Sequence, residues 1–302
     1  MSNELPPVGI VIVNWNLKDT LRATLESCLK INYPSFSIVV VDNASADGSP
    51  EMVRTEFPKV QLIVNAVGQG YAKGASQGMA QLADQHKYLF SISNDVEMDP
   101  DILRQLVQVA EANPRAGVLG SKVYFYDRPT VIWHAGAHVH PLHGHSYHYG
   151  WERQDHPRYD RSRRCDYVTG CGYLLRADLA KQLGFLKADL VFYFEDADFC
   201  YRARAKGYEV LYVPAAKLWH KTSTTLGKNR GRQLRYSTRN NLYLLQQHRV
   251  GPCYPFTLLV HLFVVSPLKM ALFLGLLRWK NSLGIWQGIR DWQQGRYGMI
   301  TD

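Results

Sequence analysis

The sequence has few cysteines, and none of them shows the spacing of a disulfide framework or a zinc site. Five cysteines are scattered through 302 residues without a C-x-x-C pair, so neither kind of site is predicted. The N-terminal segment also lacks a basic stretch followed by a long apolar core and a small-residue cleavage site, so we predict no secretory signal. These absences favour a protein of the reducing cytoplasm.

Acidic residues are scarce in only one region, the C-terminal tail. The whole chain carries a net charge of +9, and residues 226–302 contain 11 Lys and Arg against two Asp. The basic excess therefore lies in the tail, and we predict no nucleic-acid partner. We divide the chain into a catalytic domain, residues 1–250, and a basic amphipathic helical tail, residues 251–302.

The tail contains the longest apolar run, Pro255 to Leu277. A bilayer core of ~30 Å needs about 20 residues, but His261, Pro267 and Lys269 interrupt the run. We expect two short helices, broken near Pro267, that lie in the interface of an anionic membrane. Three tryptophans would sit at headgroup depth: Trp279, Trp286 and Trp292. A spanning helix and a buried helix pair or dimer contact remain alternatives.

The first 120 residues alternate between strand-like and helix-like patterns. Residues 8–13, 37–41 and 61–64 are short apolar runs separated by helical patterns, which is typical of a parallel sheet covered by helices. Ligands bind beyond the carboxyl ends of such strands. The polar residues at these ends are therefore candidates, although Asp42 could simply close an Asx turn.

Two acidic clusters interrupt the apolar pattern. In the first, Asp99 precedes Pro100 and is predicted to cap a helix, which leaves Asp95 and Glu97 without a structural reason. In the second, Asp198 can pair with Arg202 four residues later.

The second cluster contains two further carboxylates, Glu195 and Asp196. Four apolar or aromatic residues precede them, so partial desolvation would raise a pKa into the range of a general base. His220 is predicted to lie just beyond a later strand. Two carboxylate sites and a histidine on an α/β chain indicate metal-assisted chemistry on a phosphorylated donor.

Six of the eleven histidines fall between Trp133 and Tyr149. Their spacing allows a metal site, but no local cysteine or carboxylate supports one. We expect instead a mobile surface loop over the acceptor side.

The order and spacing of several motifs resemble those of the family 2 glycosyltransferases, particularly the bacterial rhamnosyltransferase-like members that build surface polysaccharides. The motifs are VIVNWN, VVVDNASADGS, GYAKGASQG, SNDVEMDP, YVTGCGYLLR, FYFEDADFCYRARAKGYEVLYVPAAKLWH and YSTRNN. The resemblance implies a GT-A fold, which is a mixed, mostly parallel Rossmann-like sheet flanked by helices. It further implies a nucleotide-diphosphate-sugar donor, a Mn or Mg ion, and inversion at the anomeric carbon.

The resemblance also implies roles for individual residues. Asp196 corresponds to the general base, with Glu195 contacting the acceptor or orienting the base. The implied metal ligands are Asp95, with His220 or Glu97. The implied contacts to the nucleotide sugar are Asn14, Asp42, Asn43, Gly70, Lys73, Asn94 and Arg239.

The resemblance implies a glycan or lipid-linked glycan as the acceptor, and a site of action at the inner face of the plasma membrane. Two other functions remain open at this stage. One is a non-catalytic membrane-associated scaffold that binds nucleotide sugars. The other is a nucleotidyltransferase, which would require a basic glycine-rich loop near the N-terminus, and this sequence lacks one.

Overall fold

A computed structural model describes residues 5–221, 229–251 and 253–300. The strands are β1 (Val8–Asn14), β2 (Phe36–Asp42), β3 (Gln61–Val64), β4 (Tyr88–Ser93), β5 (Val96–Met98), β6 (Ala116–Phe125), β7 (Val131–His134), β8 (Ala137–Val139), β9 (Ser146–His148), β10 (Arg153–Gln154), β11 (Arg163–Arg164), β12 (Gly172–Arg176) and β13 (Glu209–His220). The helices are α1 (Lys18–Cys28), α2 (Ser49–Glu56), α3 (Tyr71–Leu82), α4 (Ile102–Ala112), α5 (Ala177–Leu183), α6 (Glu195–Ala205), α7 (Arg230–Gln247), α8 (Tyr254–Val260), α9 (Ser266–Gly275) and α10 (Trp279–Gln293).

The central sheet is mixed and contains eleven of these strands. Its main order is β10-β7-β6-β12-β4-β1-β2-β3, and β13 runs parallel to β6. Strands β3, β2, β1 and β4 are parallel neighbours. The alternating side chains of β1 enter two different cores, with Val11 and Val13 on one face and Ile10 and Ile12 on the other. Helices therefore cover both faces, and the α/β prediction is confirmed.

The parallel register brings three predicted strand ends to one edge of the sheet. Asn14 at the end of β1 lies opposite Asp42 at the end of β2. On the other side of β1, Val13 lies opposite Ser93 at the end of β4. The polar residues that follow these strands therefore meet, as is usual for ligand sites in parallel sheets.

Two predicted segments differ in the structure. β13 continues to His220 through an irregularity between Val213 and Lys217, so His220 is the last residue of this strand and does not lie beyond it. The histidine-rich segment forms an antiparallel hairpin, β8–β9, in which Val139 pairs with Ser146. Backbone pairing thus replaces the predicted mobile loop.

The apolar part of the tail is one continuous helix, contrary to the predicted break. A π-helical turn, His261–Val265, joins α8 to α9 directly before Ser266 and Pro267. A π turn accommodates a proline because it rearranges the backbone hydrogen bonds around the missing N–H. The combined helix, Tyr254–Gly275, is long and apolar enough to cross a membrane by length and composition, and only 11% of its most apolar window is buried.

Helix α10 is packed on α7. The backbones of the two helices approach so closely that a Cβ on Gly284 would lie against the carbonyl oxygen of Gly231. Asp291 also pairs with Arg235 at 2.6 Å, and the indole of Trp292 donates to Gln246 at 2.8 Å. Trp292 therefore contacts α7, whereas Trp279 and Trp286 are exposed.

Candidate active site

A cavity of about 680 Å³ opens at the carboxyl ends of β1 and β4. It reaches from the strand ends to the first turn of α6 and to one face of α7. Its lining includes Asn14, Asn43, Asn94, Asp95, Glu195, Asp196 and His220, together with many aromatic side chains. Seven of the twelve predicted site residues therefore come together here, although they are distant in sequence.

Asn14 is the centre of a polar network at the strand ends. Its side-chain amide donates to Asp42 at 2.9 Å, and its carbonyl oxygen accepts from Asn94 at 2.7 Å. The other carboxylate oxygen of Asp42 accepts from the amide of Ser45 at 2.8 Å. Asp42 is buried, so it both closes the Asx turn and orients Asn14 toward the cavity.

The glycine segment of α3 contributes through its backbone. The side-chain amide of Asn43 donates to the carbonyl oxygen of Gly70 at 3.0 Å. Gly70 has a φ of +79°, and a Cβ there would lie 2.5 Å from Val191, so this position needs glycine. Lys73 is exposed on α3, away from the residues that line the cavity.

Asp95 and His220 meet at the cavity wall. Oδ1 of Asp95 lies 3.1 Å from Nε2 of His220, and the thiol of Cys171 lies 3.7 Å from both ring nitrogens. Oxygen and imidazole ligands suit Mn²⁺, so by ligand type Asp95 and His220 could hold part of a divalent-ion site.

The third predicted metal ligand, Glu97, lies elsewhere. It is on β5, where its carboxylate pairs with Lys221 at 2.9 Å. In this ion pair the Glu97 side chain is 39% exposed, and it does not line the cavity. Among the described residues, no group of three or more His, Cys, Asp or Glu side chains could hold a metal ion, and this includes the histidines of the β8–β9 hairpin.

Glu195 and Asp196 begin α6, as predicted. Oδ2 of Asp196 accepts from the amide of Gly170 at 2.7 Å, and Oδ1 accepts from the amide of Ala197 at 2.7 Å. Oε2 of Glu195 is buried without a hydrogen-bond partner among the described residues. Asp198 faces the other way and pairs with Arg202 at 2.7 Å and with His248 at 2.9 Å.

The two carboxyl groups differ in how strongly they hold a proton. Burial raises the pKa of Asp196 to about 6, although the amides of Ala197 and Gly170 act to lower it. Burial, and then the charge of Asp196, raise the pKa of Glu195 well above its usual value. Of the two carboxyl groups, Glu195 therefore holds its proton more strongly, and both face the cavity.

The loop before this carboxylate pair has an unusual backbone. Val191, Tyr193 and Phe194 have φ values of 64°, 65° and 69°, a region that costs non-glycine residues free energy. Asn240 of α7 stabilises the loop, because its side-chain nitrogen lies 2.8 Å from the carbonyl oxygens of Leu190, of Phe192 and of Tyr193.

Arg239 serves the same loop from a buried position. It is 1% exposed, and its guanidinium contacts the carbonyl oxygens of Leu190 at 3.3 Å and Gly298 at 3.0 Å. Its Nε donates to Oδ1 of Asn240 at 2.8 Å, which fixes the orientation of that amide. The guanidinium therefore connects the tail to the loop, and the structure does not bring it to the cavity.

The aromatic wall of the cavity was missed in the sequence analysis. Trp133 and Trp151 have ring centroids 5.7 Å apart, and Trp133 also lies edge-on to His220 at 5.0 Å. The hydroxyl of Tyr167 contacts His148 at 3.1 Å and also contacts Ser146. Aromatic faces next to hydroxyl groups suit a sugar ring, and the clustering of Trp, Tyr and His between residues 133 and 151 was the available signal.

Comparisons with known proteins agree with this geometry. The profile of the family described as "Glycosyltransferase like family 2" matches residues 6–238. An uncharacterized protein, y4gI of Sinorhizobium fredii, is 28% identical over 74% of this chain. The N-acetylglucosaminyl-diphospho-decaprenol L-rhamnosyltransferase of Mycobacterium tuberculosis is 25% identical over 76% of this chain and 80% of its own length. The chain spans only 25% of the length of y4gI.

A solved structure supports the fold. The mannosyltransferase PcManGT from Pyrobaculum calidifontis, in complex with GDP-Man and Mn²⁺, superposes with a TM-score of 0.63 at 15% identity, over 97% of this chain and 88% of that chain. This likeness shows that the chain has the GT-A fold.

Proposed function

Because this chain belongs to the family described as glycosyltransferase-like family 2, we propose that it transfers a sugar, with inversion, from a nucleotide diphosphate to a hydroxyl group of a glycan or lipid-linked glycan. The observation that carries the proposal is the carboxylate pair at the start of α6. We propose that Asp196 acts in its ionised form and Glu195 in its protonated form, because burial raises the pKa of Asp196 only to about 6 and raises that of Glu195 well above its usual value. Both face a cavity whose other wall carries Asp95 and His220.

The chemistry follows from these protonation states. Asp196 accepts the proton of the acceptor hydroxyl, and the oxygen of that hydroxyl attacks the anomeric carbon from the side opposite the diphosphate. The bond between the anomeric carbon and the diphosphate oxygen breaks, so the diphosphate leaves with the electron pair. Glu195 donates a hydrogen bond through its protonated carboxyl, which has no other partner among the described residues, and so positions the acceptor.

We assign the diphosphate to the opposite wall. Asp95 and His220 would hold a Mn²⁺ or Mg²⁺ ion, which when bound neutralises the negative charge that develops on the leaving diphosphate. Asn14, Asn43 and Asn94 supply amide groups beside it, and Asp42 keeps Asn14 in place. These neutral amides suit the base and ribose of a nucleoside, which carry no charge.

We propose a dTDP-rhamnose or UDP-sugar donor, an assignment that the name of the mycobacterial relative supports for rhamnose. We place the reaction at the cytoplasmic face of the plasma membrane, because the helix Tyr254–Gly275 exposes an apolar surface. Phe263 is 73% exposed, Leu268 66% and Leu272 61%. Burying such side chains among lipid tails is favourable by about 1.5–3 kcal/mol each.

The experiment that tests the proposal is thermal stabilisation by UDP, dTDP, GDP and CDP, each with and without Mn²⁺, followed by transfer assays with the matching donor. We expect one nucleotide to stabilise the protein, and more so with metal. Asp196→Asn should retain this stabilisation and lose transfer by ~10²–10⁴-fold. Nucleotide binding without turnover of any donor would instead favour a non-catalytic scaffold.

A further inference from the structure

A second cluster of polar and basic side chains lies outside the catalytic cavity, where the tip of the β8–β9 hairpin contacts the exposed apolar helix Tyr254–Gly275. Nδ1 of His261 lies 2.9 Å from the carbonyl oxygen of His143, and the hydroxyl of Thr257 donates to the carbonyl oxygen of Pro141. Lys269 donates to Nδ1 of His145 at 3.2 Å. The hairpin is therefore fixed against the same helix whose other side chains are exposed.

Four side chains at this contact form a basic cluster: His140, His143, His145 and Lys269. The rings of His140 and His143 stack with centroids 3.8 Å apart. Burial, followed by the charge of Lys269, lowers the pKa of His145 to about 4, and its other charged neighbours are also bases, His261 and His143. Burial also lowers the pKa of His143, and His145 is uncharged at neutral pH beside the ammonium group of Lys269.

The hydrogen bonds of the basic cluster leave it rich in donors. In each of the three histidines Nδ1 is an acceptor, from Leu142, from the amide of His145 and from Lys269 respectively. A neutral imidazole that accepts at Nδ1 carries its proton on Nε2. Nε2 of His143 also contacts the hydroxyl of Tyr147 at 3.5 Å. The basic cluster thus presents the ring N–H groups of His140 and His145 and an ammonium, and such a set of donors suits a phosphate oxygen.

The position of the basic cluster relative to the cavity specifies the ligand further. Ser146 follows His145 directly and lines the cavity, as does His148 two residues later. On the helix that carries Lys269, Phe263 and Leu268 expose their apolar side chains. One molecule that touches all three regions would need a hydrocarbon tail, an anionic group and a polar sugar, in that order.

We propose that the basic cluster binds the phosphate or diphosphate group of a lipid-linked acceptor. The hydrocarbon tail lies on the exposed face of the helix Tyr254–Gly275, and the sugar reaches the cavity past Ser146. This inference rests on the proposed function, since it names the acceptor class of the same site. The basic cluster then determines how far the acceptor sugar extends toward Asp196.

The test is co-sedimentation of the full chain with phosphatidylcholine vesicles that contain about 10 mol% of one additive, so that the surface charge of the vesicle stays low. The additives are hexadecyl phosphate, hexadecanol, and phosphatidylglycerol as a generic anionic lipid. We expect hexadecyl phosphate to strengthen binding about tenfold over hexadecanol and several-fold over phosphatidylglycerol. Equal binding to hexadecyl phosphate and phosphatidylglycerol would overturn the proposal, because it would show attraction to any anionic surface.

Variants locate the binding to the basic cluster. Lys269→Gln and His145→Gln should each remove most of the preference for hexadecyl phosphate, about five- to tenfold. The matched control is Lys280→Gln, because Lys280 is an exposed base on α10 beside Trp279 and should change binding less than twofold. If the two cluster variants behave like this control, the proposal is wrong.

Two further measurements separate this inference from the proposed function. Nucleotide stabilisation of Lys269→Gln should equal that of the wild type, which also shows that the variant is folded. The second measurement is vesicle binding in excess inorganic phosphate. If inorganic phosphate abolishes vesicle binding altogether, the basic cluster recognises phosphate without the hydrocarbon tail, which contradicts the proposal. If no donor supports sugar transfer, the proposed function is wrong. A measured preference for hexadecyl phosphate would then need an explanation other than sugar transfer.

Discussion

The side-chain amide of Asn240 lies 2.8 Å from the carbonyl oxygen of Tyr193, two residues before Glu195. Helix α7 therefore holds the loop that leads into the carboxylate pair. The loop has three non-glycine residues at positive φ, each of which costs of order 1–3 kcal/mol. We interpret Asn240 as a positioning residue that keeps Asp196 at its place in the cavity.

Asn240→Asp should lower kcat by about 10- to 100-fold with little change in the KM for the donor. The replacement has the same shape but offers only acceptors to three carbonyl oxygens, so the loop would relax and Asp196 would move. The acidic limb of the pH profile should also shift, which a purely structural loss of active protein would not cause. Gln247→Ala, on the exposed surface of α7, is the control. Equal kcat for Asn240→Asp and wild type would contradict the interpretation.

The rate of transfer should depend on the ionisation of Asp196. Since burial raises its pKa to about 6, kcat/KM should fall about tenfold for each pH unit below 6. Initial rates between pH 4.5 and 8, with nucleotide binding measured at each pH, check this. A flat profile through pH 5 would rule out Asp196 as the base.

Asp196→Asn should change the pH dependence of stability. The folded pKa of about 6 lies above the usual value of 3.8, so the contribution of this group to stability is full below about pH 4 and is lost as the pH rises through 6. The asparagine does not ionise, although it can accept from only one of the amides of Gly170 and Ala197. The stability of the variant relative to the wild type should therefore be about 1–3 kcal/mol higher at pH 8 than near pH 4. Urea unfolding at both pH values measures the difference.

The opposite sign is expected for a neighbouring carboxylate. Although burial raises the pKa of Asp198, hydrogen bonds from His248 and the charge of Arg202 outweigh it and lower that pKa. Asp198→Asn should therefore destabilise the protein at pH 8. If the stability of Asp196→Asn relative to the wild type is no higher at pH 8 than at pH 4, Asp196 is not held in a desolvated position.

Removal of either member of the Asp95–His220 pair should weaken the effect of Mn²⁺. Asp95→Asn and His220→Gln each remove one protein ligand of the proposed ion, so the Mn²⁺ concentration needed for half-maximal stabilisation by the nucleotide should rise about tenfold or more. Glu97→Gln is the control, because Glu97 pairs with Lys221. If it weakens the effect of Mn²⁺ as strongly as Asp95→Asn does, the ion lies elsewhere.

Association with anionic vesicles should depend on the exposed face of the tail. Phe263→Ser and Leu272→Ser each remove an apolar contact worth about 1.5–3 kcal/mol, so each should weaken vesicle binding about tenfold or more. Val67→Ser is the control, since Val67 is 67% exposed far along the chain from the tail. Unchanged sedimentation of the double variant would refute the membrane proposal. Deletion of the whole tail is less informative, because it would expose the face of α7 that packs on α10.

Local patterns predicted the strand ends and the helix start that line the cavity. The ends of β1, β2 and β4, and the start of α6 at Glu195, follow from apolar periodicity and from the acidic residues in a first helical turn. Glu97 and Lys73 could not be placed in this way. Neither residue lines the cavity, because Glu97 pairs with Lys221 and the packing of α3 leaves Lys73 exposed. Both outcomes depend on contacts between elements and not on a local pattern.

The sequence by itself determined the family motifs, the parallel strands and the carboxylate pair, because each is encoded within a few neighbouring residues. Only the tertiary structure decided the role of Arg239, whose buried guanidinium contacts carbonyl oxygens from segments 49 and 59 residues away. It likewise joined the histidine-rich hairpin to Lys269, 124 residues from His145. Such contacts form where packing brings distant donors and acceptors together, since a buried polar group must find a partner wherever the fold supplies one.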